Sequence, residues 1–113
     1  VMWIQTDVST SVLGKGDYAN LPNNQMLACD PTAAGGADIR RFLLGPAGCE
    51  VTGVVTTPNH KTMFVNIQHP GESPSERSDP DQPMRFSKWP DGAGRPRSAT
   101  VVITKNDGGV IGT

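Results

Sequence analysis

Glycine and proline restrict the fold of this chain more than any other feature, because 13 glycines and 10 prolines occur among its 113 residues. Together they make up about a fifth of the sequence, whereas roughly 12% is usual. Proline removes a backbone hydrogen-bond donor and both residues weaken helix interiors, so we expect no long helix. Six of the prolines fall between Pro70 and Pro96, which predicts one long irregular loop over residues 70–97.

The charge balance excludes several classes of partner. Ten Lys and Arg residues stand against eleven Asp and Glu, which gives a net charge of -1 and leaves no basic surface of the kind that nucleic acids require. The longest apolar runs, such as residues 101–103, are far shorter than the roughly 20 residues of a membrane-spanning helix. We therefore expect no nucleic-acid partner and no membrane span.

The length predicts a single small domain over residues 1–113, with a thin core because few core-forming side chains are present. No segment of the chain has the pattern of a signal peptide. The sequence opens at Val1 inside a β-prone run, which indicates a partial domain cut from a larger protein.

The two cysteines carry no metal-binding pattern. Cys29 and Cys49 have no second cysteine or histidine at the short spacings that zinc sites use. We interpret them as buried thiols or as one disulfide, the latter requiring an oxidising compartment. A redox or nucleophilic role is the alternative.

Short β-prone runs alternate with turn residues, and no stretch has a convincing helical period. The clearest hairpin joins residues 49–57 to 62–67, and a second is predicted to join 99–104 to 110–111. The predicted strands lie at residues 1–7, 25–30, 39–44, 50–57, 62–67 and 99–104. The sequence therefore predicts an all-β protein of antiparallel sheets.

Several motifs in order along the chain resemble the C-terminal part of the PhoX-type alkaline phosphatases. Nearly the whole chain takes part in this resemblance. The motifs are WIQTD (3–7), RFLLGPAGCEVTG (41–53), FVNIQHPGE (64–72), WPDG (89–92), PRSATVVITK (96–105) and DGGVIG (107–112).

The resemblance implies a secreted or periplasmic, calcium-dependent phosphatase that hydrolyses phosphomonoesters. It also implies a β-propeller with calcium and iron ions on its axis, several times longer than this chain. Residues 1–113 would supply about one and a half blades, because a blade is a four-stranded antiparallel sheet. The rest of the propeller would be the natural partner, and unpaired strand edges predict self-association of the fragment alone.

Glu50 is the strongest candidate for a metal ligand. It begins the presumed inner strand of a blade, where propeller axes collect ligands, and calcium prefers carboxylate oxygens from separate segments. The alternative is a strand-edge glutamate that pairs with an arginine. No Gly-x-Ser-x-Gly motif or P-loop is present, so metal-assisted chemistry fits better than a serine nucleophile.

Loop residues provide further candidates. His69 and Glu72 follow a strand end and could hold a ligand or bind substrate, although a solvated loop histidine is the plainer interpretation. Arg95 and Arg97 flank Pro96, and the guanidinium of Arg97 could clamp phosphoryl oxygens unless it is an ordinary surface cation. Asp7 could face the same axis or begin a turn.

Three hypotheses follow for function. The chain is the C-terminal part of a phosphoric monoester hydrolase and is inactive alone, with no metal stably bound. Alternatively, it is a stand-alone β-rich structural or interaction module without catalysis. A third possibility is a small metal-binding domain whose oligomer brings several copies of Glu50 together.

Overall fold

Six strands and one short 3-10 helix form the regular structure of the computed structural model, which describes residues 1–77 and 79–113. Two three-stranded antiparallel sheets have the strand orders β1-β2-β3 and β4-β5-β6. The prediction of an all-β antiparallel fold is confirmed. The strands are β1 (Met2–Gln5), β2 (Gln25–Asp30), β3 (Asp38–Leu44), β4 (Glu50–Thr56), β5 (Thr62–Gln68) and β6 (Ala99–Thr104), and the 3-10 helix is Gly16–Tyr18.

The first sheet contains a bulge in β3. Met26 pairs with Leu43 and Leu27 pairs with Arg41, so Phe42 is left between two registers. The extra residue bends the strand, as bulges do. The Phe42 ring packs edge-on against Trp3 with 4.7 Å between ring centroids.

The second sheet contains the predicted β4–β5 hairpin, with a bulge at Gly53. Thr52 pairs with Asn66 and Val54 pairs with Val65, so Gly53 has no partner and adopts a φ of 50°. A β-carbon at this position would lie 2.9 Å from the Asn66 side chain. Glycine is therefore required where the strand bends.

The predicted second hairpin is wrong. Strand β6 pairs along β5, from Thr104 opposite Thr62 to Ala99 opposite Ile67, and residues 110–113 form no strand. Ile111 instead donates its backbone N–H to the His60 carbonyl over 2.9 Å and packs into the core. Burial of the Ile111 side chain in the core and the hydrogen bond to His60 hold residues 110–111 away from β6, which explains the difference.

The core is thin and lies mainly on one face of the second sheet. Met26 is the residue of the first sheet that belongs to this buried cluster, and Cys29 of the same sheet is buried outside it. The molecule measures 50 × 33 × 19 Å along its principal axes, so few side chains can be remote from solvent. The other members of the buried cluster are Cys49, Val51, Met63, Val65, Ile67 and Ile111.

The long Pro-rich segment has no regular structure in residues 69–77 and 79–98. Across the part of the chain that the structure describes, no helix has the length and apolar character needed to cross a membrane. Apolar side chains remain exposed on the second sheet, with Val55 62% and Val102 61% accessible.

Candidate functional site

The hairpin register brings Glu50 and His69 together. Glu50, the first residue of β4, lies opposite Gln68, the last residue of β5. His69 follows directly, and its Nε2 lies 3.3 Å from Oε1 of Glu50. Each residue was a candidate in the sequence, and the structure places them in one site.

The backbone of His69 is held in an unusual conformation. Its φ is 36°, in a region that non-glycine residues seldom adopt, and the following Pro70 normally favours an extended residue before it. The N–H of His69 donates to Oγ of Ser98 over 2.9 Å. Tertiary contacts therefore fix this turn against its local preference, a feature that is common at functional sites.

Within residues 1–77 and 79–113, the polar groups that contact the imidazole of His69 are acceptors. Nδ1 lies 3.2 Å from the Gly48 carbonyl oxygen and 3.8 Å from Oε2 of Glu72, while Nε2 faces Glu50. Partial burial lowers the pKa of His69, but the hydrogen bond to Glu50 and the other acceptors together outweigh it and raise the pKa above 6.5. The site therefore favours the imidazolium form.

Glycine at position 48 lets two turns dock on each other. The N–H of Gly71 donates to the Ala47 carbonyl over 2.7 Å, next to the contact between Gly48 and His69. Gly48 has a φ of 68°, and a β-carbon there would lie 2.7 Å from the backbone nitrogen of Glu72 and still closer to its carbonyl oxygen. A side chain at position 48 would push the Glu72 turn away from Glu50.

These groups line a cleft of about 300 Å³ between the two sheets. Its lining comes from the segment after β1, the residue before β2, the start of β4 and the turn at His69. The side chains of Glu50 and His69 are each 32% exposed, so both remain accessible from the cleft. Its lining residues are Asp7, Val8, Ser9, Thr10, Asn24, Cys49, Glu50, His69 and Glu72.

Asn24 is a buried polar residue of the cleft that sequence reasoning missed. It is 1% exposed, and its side-chain hydrogen bonds reach Thr6, Val8 and Cys49. All of these partners are distant in sequence, so no local pattern marks the residue. Only the packing of the first sheet against the start of β4 shows its role.

The cysteines are structural. Cys29 and Cys49 are both free and buried, which selects the buried-thiol interpretation over the disulfide. Burial raises the pKa of Cys49 to about 11. Because the thiolate is the reactive form, Cys49 is a poor nucleophile near neutral pH.

The two arginines occupy different settings. Arg97 forms a two-pronged ion pair with Asp91, with Nη2–Oδ1 3.0 Å and Nε–Oδ2 3.1 Å, and it is not among the residues of the cleft. Arg95 lines a neighbouring groove together with His69 and Glu72. No ion pair involving Arg95 is found within residues 1–77 and 79–113.

The site does not form a complete metal centre by itself. Within the described residues, no group of three or more His, Cys, Asp or Glu side chains could hold one ion. Glu50 and Glu72 lie on opposite sides of the His69 ring, whereas calcium takes six to eight oxygen ligands. These residues alone therefore do not supply the donor set of a calcium site.

Two antiparallel sheets that meet at a carboxylate–imidazole cleft are consistent with part of a β-propeller. The family model described as "Alkaline phosphatase PhoX" matches residues 1–71. The chain therefore belongs to the PhoX alkaline phosphatase family, and the resemblance inferred from the sequence is confirmed.

A solved structure agrees with this assignment. The chain is 45% identical to a structure of Pseudomonas fluorescens PhoX in complex with vanadate, a transition state analogue, with a TM-score of 0.71. The match covers 97% of this chain and 17% of that one. A comparison with curated protein sequences found no match.

Proposed function

We propose that this chain is one part, the C-terminal one by its motifs, of a calcium-dependent phosphatase that hydrolyses phosphomonoesters. The observation that carries the proposal is the 45% identity to PhoX over 97% of the chain. Because the chain spans 17% of that protein, the remaining ligands and substrate contacts would come from the rest of the propeller. The isolated chain would accordingly be inactive.

Glu50 is proposed as a metal ligand at the shared site. Its carboxylate faces an open cleft, and carboxylate oxygen suits calcium, whereas the imidazole nitrogen of His69 does not. The resemblance implies iron beside calcium in the complete propeller. When bound, such ions polarise the phosphoryl group of the substrate.

His69 and Glu72 would orient Glu50. The imidazolium of His69 lies between the two carboxylates and can hold one oxygen of Glu50, leaving the other oxygen directed elsewhere. Groups that hold a ligand carboxylate in this way affect metal affinity and activity by about 10- to 100-fold in other proteins.

We propose that an arginine next to His69 and Glu72 contacts the phosphoryl group, and Arg97, the candidate from the sequence, can do so on one condition. Its fork already binds Asp91, so phosphate would have to displace a carboxylate of similar geometry. Arg95 is the more accessible cation, since it lines the groove beside His69 and Glu72. Both arginines are therefore tested below.

Partners and location follow from the same proposal. The exposed valines of the second sheet would be covered by the rest of the propeller, and a fragment alone would self-associate through them. Secreted or periplasmic placement is proposed on the family resemblance.

The experiment is phosphomonoester hydrolysis by the isolated chain and by the full-length polypeptide that contains it, each with calcium and with a chelator. We expect calcium-dependent turnover for the full-length polypeptide and none for the isolated chain. Glu50→Gln should lower kcat by at least about 100-fold. Asp38→Asn is the matched control, because Asp38 pairs with Arg40 at 2.7 Å on strand β3 and lines neither the cleft nor the groove beside Arg95.

Each of these assays can contradict one part of the proposal. Calcium-dependent turnover by the isolated chain would show that these residues assemble a complete site, and full activity of Glu50→Gln would remove Glu50 from it. Chelator-resistant hydrolysis would contradict calcium dependence.

A stand-alone module without catalysis is the second candidate, favoured by the exposure of Val55 and Val102. A module of this kind needs its apolar sheet face covered by a second copy. The mass of the isolated chain in solution distinguishes the two: a defined, well-ordered oligomer favours the module, and a monomer or undefined aggregate favours the fragment.

A further inference from the structure

Asn24 joins three segments that are far apart in sequence. It immediately precedes β2, and its side chain reaches the segment after β1 and the residue before β4. The residue is 1% exposed, and no other polar or charged residue is buried in the part of the chain that the structure describes. A buried amide must satisfy its donors and acceptor internally, so its contacts are fixed in geometry.

The oxygen of the Asn24 side chain organises the segment after β1. Oδ1 accepts from the backbone N–H of Val8 over 2.8 Å and from the hydroxyl of Thr6 over 3.0 Å. Thr6 Oγ1 in turn accepts from the N–H of Gln25 over 2.9 Å. These bonds stay within the first sheet and its adjoining loop.

The nitrogen of the same side chain reaches the second sheet. Nδ2 donates to the Val8 carbonyl over 3.0 Å and to the Cys49 carbonyl over 3.2 Å. The Cys49 carbonyl belongs to the peptide bond that leads into Glu50. Asn24 therefore controls the orientation of the peptide unit from which the Glu50 side chain projects.

The backbone of Asn24 adds a further constraint. Its carbonyl accepts from the N–H of Gly45 over 2.9 Å, at the start of the turn that leads to Glu50. A β-carbon at Gly45 would overlap the Cys49 sulfur, so this turn is packed tightly against the residue that Asn24 binds. Asn24 therefore holds both ends of this turn, because its carbonyl binds Gly45 and its side chain binds Cys49.

We propose that Asn24 is a positioning residue that fixes Glu50 and the Asp7–Val8 segment as opposite walls of the cleft. The proposal rests on the proposed function only for the catalytic importance of Glu50. Its structural content is that strand register places Glu50 beside His69, and that the Nδ2 contact with Cys49 fixes the orientation in which the two side chains meet.

The test compares Asn24→Asp with Thr6→Val. Asn24→Asp keeps the acceptor for Val8 and Thr6 but loses both donor contacts, including the one to Cys49. Thr6→Val removes two hydrogen bonds of the same cluster and leaves the Cys49 contact intact. Asn24→Ala is the second variant in case Asn24→Asp does not fold.

The first readout is NMR on the folded chain and needs no activity. We expect the nuclear Overhauser contact between the Glu50 and His69 side chains to be lost in the Asn24 variants and retained in Thr6→Val. Amide exchange at Val8 should accelerate on the order of tenfold in Asn24→Ala. Retention of the Glu50–His69 contact in the folded Asn24 variants, or its equal loss in Thr6→Val, would overturn the proposal.

The second readout uses the full-length polypeptide. The calcium concentration for half-maximal hydrolysis should rise on the order of tenfold in Asn24→Asp and stay unchanged in Thr6→Val at a temperature where both are folded. An equal rise in both variants would show a merely structural effect and overturn the proposal. If Glu50→Gln is fully active, Glu50 is not part of the metal site, while the NMR comparison still decides the role of Asn24.

Discussion

The carboxylate of Glu50 lies 3.3 Å from Nε2 of His69 because the β4–β5 hairpin pairs Glu50 with Gln68. Strand register therefore places the two side chains within reach of each other. A shift of the register by one residue would move Glu50 to the other face of the sheet and separate the pair. The site and the fold of the second sheet depend on the same hairpin.

This pair predicts a dependence of stability on pH. The pKa of His69 is raised above 6.5 in the folded chain, so the folded state binds the imidazolium proton more tightly than the unfolded state does. The resulting stabilisation is fully present below the unfolded pKa of about 6.5 and is lost as pH rises through the folded-state pKa. The midpoint of thermal unfolding, measured across this pH range, should show the loss of this stabilisation in the native chain and not in His69→Gln.

The source of that shift can be tested by a matched pair of variants. Glu50→Gln removes the hydrogen-bonded carboxylate and should lower the pKa of His69, as followed by NMR titration of the ring protons. Asp38→Asn, which alters the ion pair with Arg40 on strand β3, should leave the pKa of His69 unchanged. An equal effect of both variants would mean that net charge, not the contact, raises the pKa.

Gly48 offers a test of how the two turns are held. Gly48→Ala places a β-carbon against the backbone of Glu72, whereas Gly14→Ala meets nothing within 4 Å at a nearly equal φ of 72°. Both variants carry the cost of alanine in the left-handed region, about 1–2 kcal/mol. Gly48→Ala should lower the free energy of unfolding by at least about 1 kcal/mol more, measured by denaturant titration; equal losses would contradict the close docking.

The strands could be predicted from sequence because short runs rich in apolar residues end at turns of glycine, proline, asparagine or aspartate. The range predicted for β2, 25–30, matches Gln25–Asp30. The role of residues 110–111 could not be predicted, since two apolar residues after a turn suit a hairpin and a core contact equally. Nor could the cleft, because Asn24 and Cys49 meet only through the packing of two sheets.

The candidate site residues could be predicted from the sequence to different degrees. Glu50 and His69 could be singled out from their positions at strand ends. Their contact, however, depends on the register of β4 and β5. The bulge at Gly53 does not disturb this register at Glu50, because the bulge lies farther along β4. The pairing of Arg97 with Asp91 joins two residues of an irregular loop. No periodicity encodes such a contact.

The thin core predicts a large effect of one methionine. Met63 is fully buried in the cluster on the second sheet, so Met63→Ala should cost about 2–5 kcal/mol, a large part of the total for a domain of this size. Val102→Ala, at a 61% exposed position of β6, should cost less than about 1 kcal/mol. Denaturant unfolding of both variants checks the difference, and similar costs would show that Met63 is not central to the core.

Cys49 should be chemically inert in the folded chain. Its pKa of about 11 and its burial leave little thiolate near pH 8, and Cys29 is buried as well. Iodoacetamide should therefore modify neither residue at a measurable rate until denaturant is added, as followed by mass spectrometry. Rapid modification of Cys49 in the native chain would contradict its placement beneath Gly45.

The two arginines should differ in their effect on substrate binding. Arg95 borders His69 and Glu72, whereas Arg97 is engaged by Asp91. If the groove receives the phosphoryl group, Arg95→Ala in the full-length polypeptide should raise KM for a phosphomonoester on the order of tenfold, since one charge-assisted hydrogen bond contributes about 1.5–3 kcal/mol. Arg97→Ala should raise KM less than Arg95→Ala does. Asp91→Asn weakens the ion pair with Arg97, and it should lower KM only if Arg97 itself binds phosphate. Unchanged KM in Arg95→Ala together with a large increase in Arg97→Ala would mean that phosphate displaces Asp91 and that the fork of Arg97 is the clamp.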